Sequence, residues 1–122
     1  MNERVLIIEG DRDPGRSLEE ALFERGFPYH RSMTAQEAIE IMKLIRFRLA
    51  FVDMTLPDMK GRELAERLKR MDPELNIVVM TKAEVVDAED SALHLDRGLF
   101  DACIFKPCHR RAIHDAVDEL ME

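Results

Sequence analysis

A chain of 122 residues is long enough for one domain with a buried core and too short for two. Hydrophobic residues make up 46% and charged residues 35%, the balance expected of a soluble globular protein. A net charge of −7 argues against unassisted binding to nucleic acid or to an anionic membrane surface. The two cysteines, Cys103 and Cys108, stand too close together for a useful staple, and no metal-type Cys/His spacing surrounds them. Reduced thiols in a cytoplasmic protein are therefore expected. No signal-type leader and no apolar run of bilayer length is read in the chain. Nothing marks an internal linker or repeat, so residues 1–122 are expected to form one domain.

Val5-Leu6-Ile7-Ile8 is a short continuous apolar run, the mark of a strand buried on both faces. It ends in Glu9-Gly10-Asp11. Asp13-Pro14 then reads as an N-cap followed by proline at the first helical position. That helix carries Leu18, Ala21 and Leu22 on one face and stops near Gly26. Residues 27–33 form a weak second strand, and the polar Tyr29, His30 and Arg31 make it an edge strand. Thr34-Ala35-Gln36-Glu37 fits a capping box, opening a helix with Ala35, Ala38, Ile39 and Met42 at helical spacing.

The third strand, Leu49-Ala50-Phe51-Val52-Asp53, runs from apolar residues straight into a carboxylate. A loop closed by Pro57 and Gly61 follows. The next helix runs to Met71 with Leu64, Ala65 and Leu68 inward, and Asp72-Pro73 ends it. Ile77-Val78-Val79-Met80 is a fourth strand ending in Thr81-Lys82. A weaker acidic helix is expected over 84–97, stopped by Gly98. Ala102-Cys103-Ile104-Phe105 is a fifth strand ending in Lys106-Pro107. The last helix, 109–121, carries Ile113, Ala116, Val117 and Leu120 as an inward stripe.

Five strands alternating with five helices predict an α/β fold: a doubly wound parallel sheet, right-handed crossovers and helices on both faces. Five strands favour the flavodoxin-like order 2-1-3-4-5, which makes strands one and three neighbours at the switch point. Ligands bind beyond the carboxyl ends of such strands. Those ends offer Glu9 and Asp11, then Asp53, Thr81 and Lys106. Clustered carboxylates repel one another, and a hard divalent cation such as Mg²⁺ relieves this through oxygen ligands. A cation site, a hydroxyl and a lysine together suit a phosphoryl group, and a carboxylate nucleophile can accept one as an acyl phosphate.

Each of these residues also has a plainer reading. Asp53 alone could cap its loop backbone, and Thr81 could bond a neighbouring carbonyl. Lys106 could be a surface lysine or a permanent structural partner of Asp53. Cys103 reads as a small core residue. His30, His94, His109 and His114 show no metal-like grouping and read as solvated. The acids Glu84, Asp87, Glu89 and Asp90 read as a solvated helix face, and the stripe of the last helix reads as core.

From end to end the chain resembles the receiver domain of two-component response regulators. The matching pieces are Val5-Leu6-Ile7-Ile8-Glu9-Gly10-Asp11, Val52-Asp53-Met54-Thr55-Leu56-Pro57-Asp58-Met59-Lys60-Gly61, Val79-Met80-Thr81 and Phe105-Lys106-Pro107. Four strand ends match in order and spacing. The resemblance implies that Asp53 accepts a phosphoryl group from a histidine kinase, and that Thr81 and Lys106 hold the phosphoryl oxygens. It implies a cis peptide before Pro107. It implies Mg²⁺ held by Asp53, Glu9, Asp11 and the backbone carbonyl of Thr55. The implied partners are a sensor histidine kinase or phosphotransfer protein, and an effector domain or second copy. The switching face is the one formed by the fourth and fifth helices and the fifth strand.

The departures are specific. The family closes strand one with two adjacent carboxylates; here Gly10 removes the one that usually touches the metal, so Mg²⁺ binding is expected to be weak. Lys82 follows Thr81 where a small residue is usual. Cys103 stands where an aromatic switch is usual, and Lys60 replaces a common acidic residue or Asn. These favour an alternative, a pseudo-receiver that binds proteins with weak or no Mg²⁺-dependent phosphorylation. A phosphohydrolase with an Asp nucleophile usually needs a second Asp two residues on, where Thr55 stands. A flavin-binding domain lacks its Ser/Thr/Gly-rich phosphate loop after strand one. No enzyme activity is therefore expected.

Overall fold

The four residues of β1 (Val5–Ile8) and the five of β3 (Leu49–Asp53) are buried throughout, as apolar runs in the middle of a two-faced sheet must be. The computed structural model describes residues 3–82 and 99–121. The remaining strands are β2 (Tyr29–Ser32), β4 (Asn76–Lys82) and β5 (Ala102–Lys106). All pairings are parallel and the order is β2-β1-β3-β4-β5, the expected doubly wound arrangement. The polar β2 is an edge strand. The helix expected over 84–97, its stop at Gly98 and His94 lie outside the described residues.

Strand alternation divides the core into two layers. Leu6, Ile8, Ala50, Val52, Ile77 and Val79 face α2 (Ala35–Leu44) and α3 (Gly61–Met71). Val5, Ile7, Leu49, Phe51, Val78, Met80 and Ile104 face α1 (Arg12–Glu24) and α4 (Arg110–Leu120). This parity decides which strand-end side chains can meet.

The start of α1 corrects the expected one. Asp11 is the N-cap, in extended conformation, and Pro14 falls on the third helical residue instead of the first. The first-turn amides have no partner within a helix, so proline is tolerated anywhere among them. Gly15 is the first residue to bond back, donating to the Asp11 carbonyl at 3.3 Å. The far end closes as expected at Gly26, whose φ of 76° is left-handed. Gly26 donates to Phe23 and Phe27 to Leu22, each at 3.0 Å, a Schellman closure.

The N-terminus of α2 has every amide of its first turn bonded. Thr34 Oγ1 accepts from Glu37, and the Thr34 carbonyl from Ala38. Ala35 and Gln36 donate to the two carboxylate oxygens of Asp58, at 2.9 and 3.0 Å. Asp58 lies in the β3–α3 loop, so the cap also ties that loop to α2. These backbone donors hold the Asp58 carboxyl below its usual pKa, the Ala35 bond most of all. Glu37 returns to the Met33 amide at 2.7 Å, one residue earlier than the reciprocal bond of a strict capping box.

Among the histidines, His30 and His109 are exposed, whereas His114 is not solvated as expected. Its ring is half-buried between α4 and α1, with Nε2 3.3 Å from the Ala21 carbonyl. The last-helix stripe is core: Ile113, Ala116 and Val117 are buried.

Candidate functional site

Glu9 and Asp53 end up side by side because β1 and β3 are hydrogen-bonded neighbours, with Ile8 opposite Val52. Both share the parity of Ile7 and Phe51. Lys106 shares the parity of Ile104 on β5, so it leans the same way. Thr81 has the opposite parity and lies buried on β4 between them. Glu9 is wholly buried and Asp53 is 2% exposed.

One ammonium joins the two carboxylates. Lys106 Nζ lies 3.0 Å from Glu9 Oε2 and 3.0 Å from Asp53 Oδ1. Lys106 is thus no surface lysine: its side chain is 7% exposed. Asp53 Oδ1 also accepts from the Thr55 amide at 3.0 Å and the Thr55 hydroxyl at 3.2 Å. Glu9 Oε1 accepts from the Asp11 amide at 3.1 Å. The ion pairs are close but poorly directed. Among the described residues, neither Glu9 Oε2 nor Lys106 Nζ has a hydrogen bond of good angle.

Protonation follows from this geometry. Burial pushes the Glu9 carboxyl from its ordinary 4.5 up to about 7, and the neighbouring Asp53 adds to the rise. The Asp11 amide and Lys106 oppose it. For Lys106, burial pulls the pKa down, but Glu9 and Asp53 outweigh it and the ammonium is held above its usual value. Burial also raises both thiols, Cys108 to about 11 and the half-buried Cys103 to a lesser extent.

The loop around the cluster is set by close backbone packing. Gly61 donates to the Met54 carbonyl at 3.2 Å. A Cβ at 61 would stand 2.6 Å from the Asp53 carbonyl oxygen, so only glycine fits. The Lys106–Pro107 bond is cis. Asp11 is exposed at the N-cap of α1. Among the described residues no three His, Cys, Asp or Glu side chains form a metal-holding group. Two carboxylates suffice for Mg²⁺, which keeps several waters and often takes only one or two. The undirected buried oxygen of Glu9, beside Asp53, fits such an ion.

Two residues at this edge were not legible as site residues. Asp58 anchors the acceptor loop to α2, and Arg31 reaches the β1–α1 loop from β2. The only sequence signals were Asp58 after Pro57 in a turn and a basic residue in an edge strand.

A family model, response regulator receiver domain, matches residues 5–118. The chain belongs to the response regulator receiver domain family. It is 30% identical over 120 residues to the response regulator receiver protein CpdR of Brucella abortus, covering 98% of this chain and 97% of that one. It is 28% identical over 81 residues to sporulation initiation phosphotransferase F of Bacillus subtilis, covering 66% of this chain and 65% of that one. A CheY-like receiver domain structure from Methanospirillum hungatei superposes with a TM-score of 0.86 at 28% identity, over 98% of this chain and 93% of that one. The protein is thus a receiver domain of the two-component type, a signalling family whose members generally bind Mg²⁺ at the phosphorylation site and interact with histidine kinases or phosphotransfer proteins.

The raised Glu9 pKa gives this receiver a pH-dependent stability without metal. The folded carboxyl holds its proton more tightly than the unfolded one. Its contribution is therefore complete below pH 4.5 and lost as pH rises through about 7. Between pH 5 and 8, urea denaturation in EDTA should show a loss on the order of 2 kcal/mol that Glu9→Gln removes. Parallel pH profiles for the two proteins would contradict the assignment.

Proposed function

We propose that Asp53 is the phosphoacceptor of a phosphorelay receiver working in the cytoplasm, with residues 1–122 as one signalling unit. The observation that carries this is the Lys106 ammonium bridging Glu9 and Asp53 at the carboxyl ends of β5, β1 and β3. Asp53 Oδ1 is engaged by Lys106 and Thr55, so Oδ2 is the oxygen that attacks. A new O–P bond forms to Oδ2, the N–P bond of the donor phosphohistidine breaks, and the imidazole leaves with the electron pair and takes up a proton. Lys106 offsets the charge gathered on the phosphoryl oxygens. Thr81, one strand away, bonds one of those oxygens in the phosphorylated form.

Asp53 and the Thr55 carbonyl would hold Mg²⁺ directly, with Glu9 acting through water and Asp11 exposed nearby at the N-cap of α1. When bound, the ion neutralises the phosphoryl oxygens during transfer. Gly10 contributes no carboxylate, so the ion is held weakly. The donor is a sensor histidine kinase or a phosphotransfer protein. The readout face includes β5 and α4. On it Phe105 is 42% exposed and contacts an effector domain or a second copy.

A second reading has its own support. Gly10, Lys82 after Thr81 and the half-buried Cys103 favour a pseudo-receiver that binds partners without efficient phosphorylation. One substitution separates the two. A Cβ at 10 would meet the Met33 carbonyl oxygen at 3.4 Å and Pro57 Cδ at 3.9 Å, so a side chain fits.

With acetyl phosphate and Mg²⁺, the intact mass should rise by one phosphoryl group, and Asp53→Asn should abolish the gain. Undiminished labelling of that variant would refute Asp53 as acceptor. Gly10→Asp should tighten Mg²⁺ binding roughly ten- to a hundredfold, since a restored charge near a divalent cation is worth about 1–3 kcal/mol. Equal affinities by calorimetry would mean that Asp11 or Glu9 already replaces the missing ligand.

A further inference from the structure

Arg31 stands on β2, opposite Ile7 of β1, outside the Glu9–Asp53–Lys106 cluster. Its guanidinium crosses to the β1–α1 loop. Nη2 donates to the Asp11 carbonyl at 2.7 Å and lies 3.4 Å from the Glu9 carbonyl. Nη1 lies 3.4 Å from Glu19 Oε1 on α1. The side chain is 18% exposed, and Nε is buried without a hydrogen-bond partner among the described residues.

Gly15 is what allows this seat. A Cβ there would overlap the Arg31 guanidinium carbon and nitrogens. The Gly15 backbone is helical, so its conformation does not call for glycine; a side chain there would instead push the flexible guanidinium out of its seat. The two carbonyls held by Arg31 flank Gly10, which has no side chain to fix the turn itself. Between them the Asp11 amide donates to Glu9 Oε1.

We propose that Arg31, seated on Gly15, is a positioning residue: it clamps both ends of the turn at Gly10 and so aims the Glu9 carboxylate at Asp53 and Lys106. A planar fork suits two carbonyls as a lysine does not. The clamp fixes a turn that Gly10 leaves conformationally free. Its consequence for Mg²⁺ rests on the cation-binding role given to Glu9 above; its consequence for the turn does not.

The test is a double-substitution cycle on the whole chain: Arg31→Ala, Gly15→Ala and both together, with Arg31→Lys as the conservative variant. Amide exchange at Asp11 is followed by NMR without metal, and Mg²⁺ affinity by titration. Each single substitution should speed Asp11 exchange about tenfold and weaken Mg²⁺ several-fold. Arg31→Lys should restore only part of either. The double variant should be no worse than Arg31→Ala, because the added methyl then fills an empty seat. Unchanged Asp11 exchange in Arg31→Ala, full rescue by lysine, or simply additive effects would overturn the clamp. If the unsubstituted protein binds no Mg²⁺, the cation site falls, while Asp11 exchange still decides the clamp.

Discussion

A buried ammonium shared by two carboxylates is the constraint around which the carboxyl edge of this sheet is built. Strands lie about 4.8 Å apart, and Lys106 on β5 is two strands from Asp53 and three from Glu9. Only a long stem leaning across β4, met by Glu9 from the other side, closes that span. Burying three charges is costly, and removing the ammonium would leave two buried carboxylates uncompensated. The sheet order and the parity of the three strand ends are both needed for the contact.

The surrounding loops hold this cluster from outside. Asp58 pins the β3–α3 loop to the amides of α2. Gly61 lets that loop pass against the Asp53 backbone. Arg31 spans the β1–α1 turn. On the proposed reading, the cluster at rest is held together by its own lysine, whose charge offsets only part of that of the two carboxylates. With two carboxylates against one ammonium, it can still attract a further cation. A phosphoryl group on Asp53 then competes with Glu9 for the same ammonium. That competition gives phosphorylation a physical route to β5, where Lys106 is the last residue and Phe105 is exposed.

How much of this was legible depended on range. Continuous apolar runs such as Val5–Ile8 state their own burial, and the alternation with helices implied the sheet order. Asp53 and Lys106 could be placed at strand ends by counting, but whether Lys106 pointed inward was open until parity put it with Ile104. Parity also separates Thr81 from the three charged residues, which a list of strand ends does not reveal. The start of α1 differs from the expected one because Asp13-Pro14 is a local signal that the first helical turn accepts in more than one register. Arg31 and Asp58 bond to residues 20 and 23 positions away, so no local pattern discloses them. His114 is half-buried by helix packing that the chain shows only once folded.

The most direct measurement is the NMR signal of the Lys106 ammonium, before and after treatment with acetyl phosphate and Mg²⁺. A buried ammonium paired with two carboxylates should give a slowly exchanging resonance with contacts to the side-chain protons of Glu9 and Asp53. Phosphorylation should move it more than any other lysine signal. A Lys106 signal that exchanges like those of the surface lysines, or stays unmoved while the mass rises by one phosphoryl group, would contradict the account.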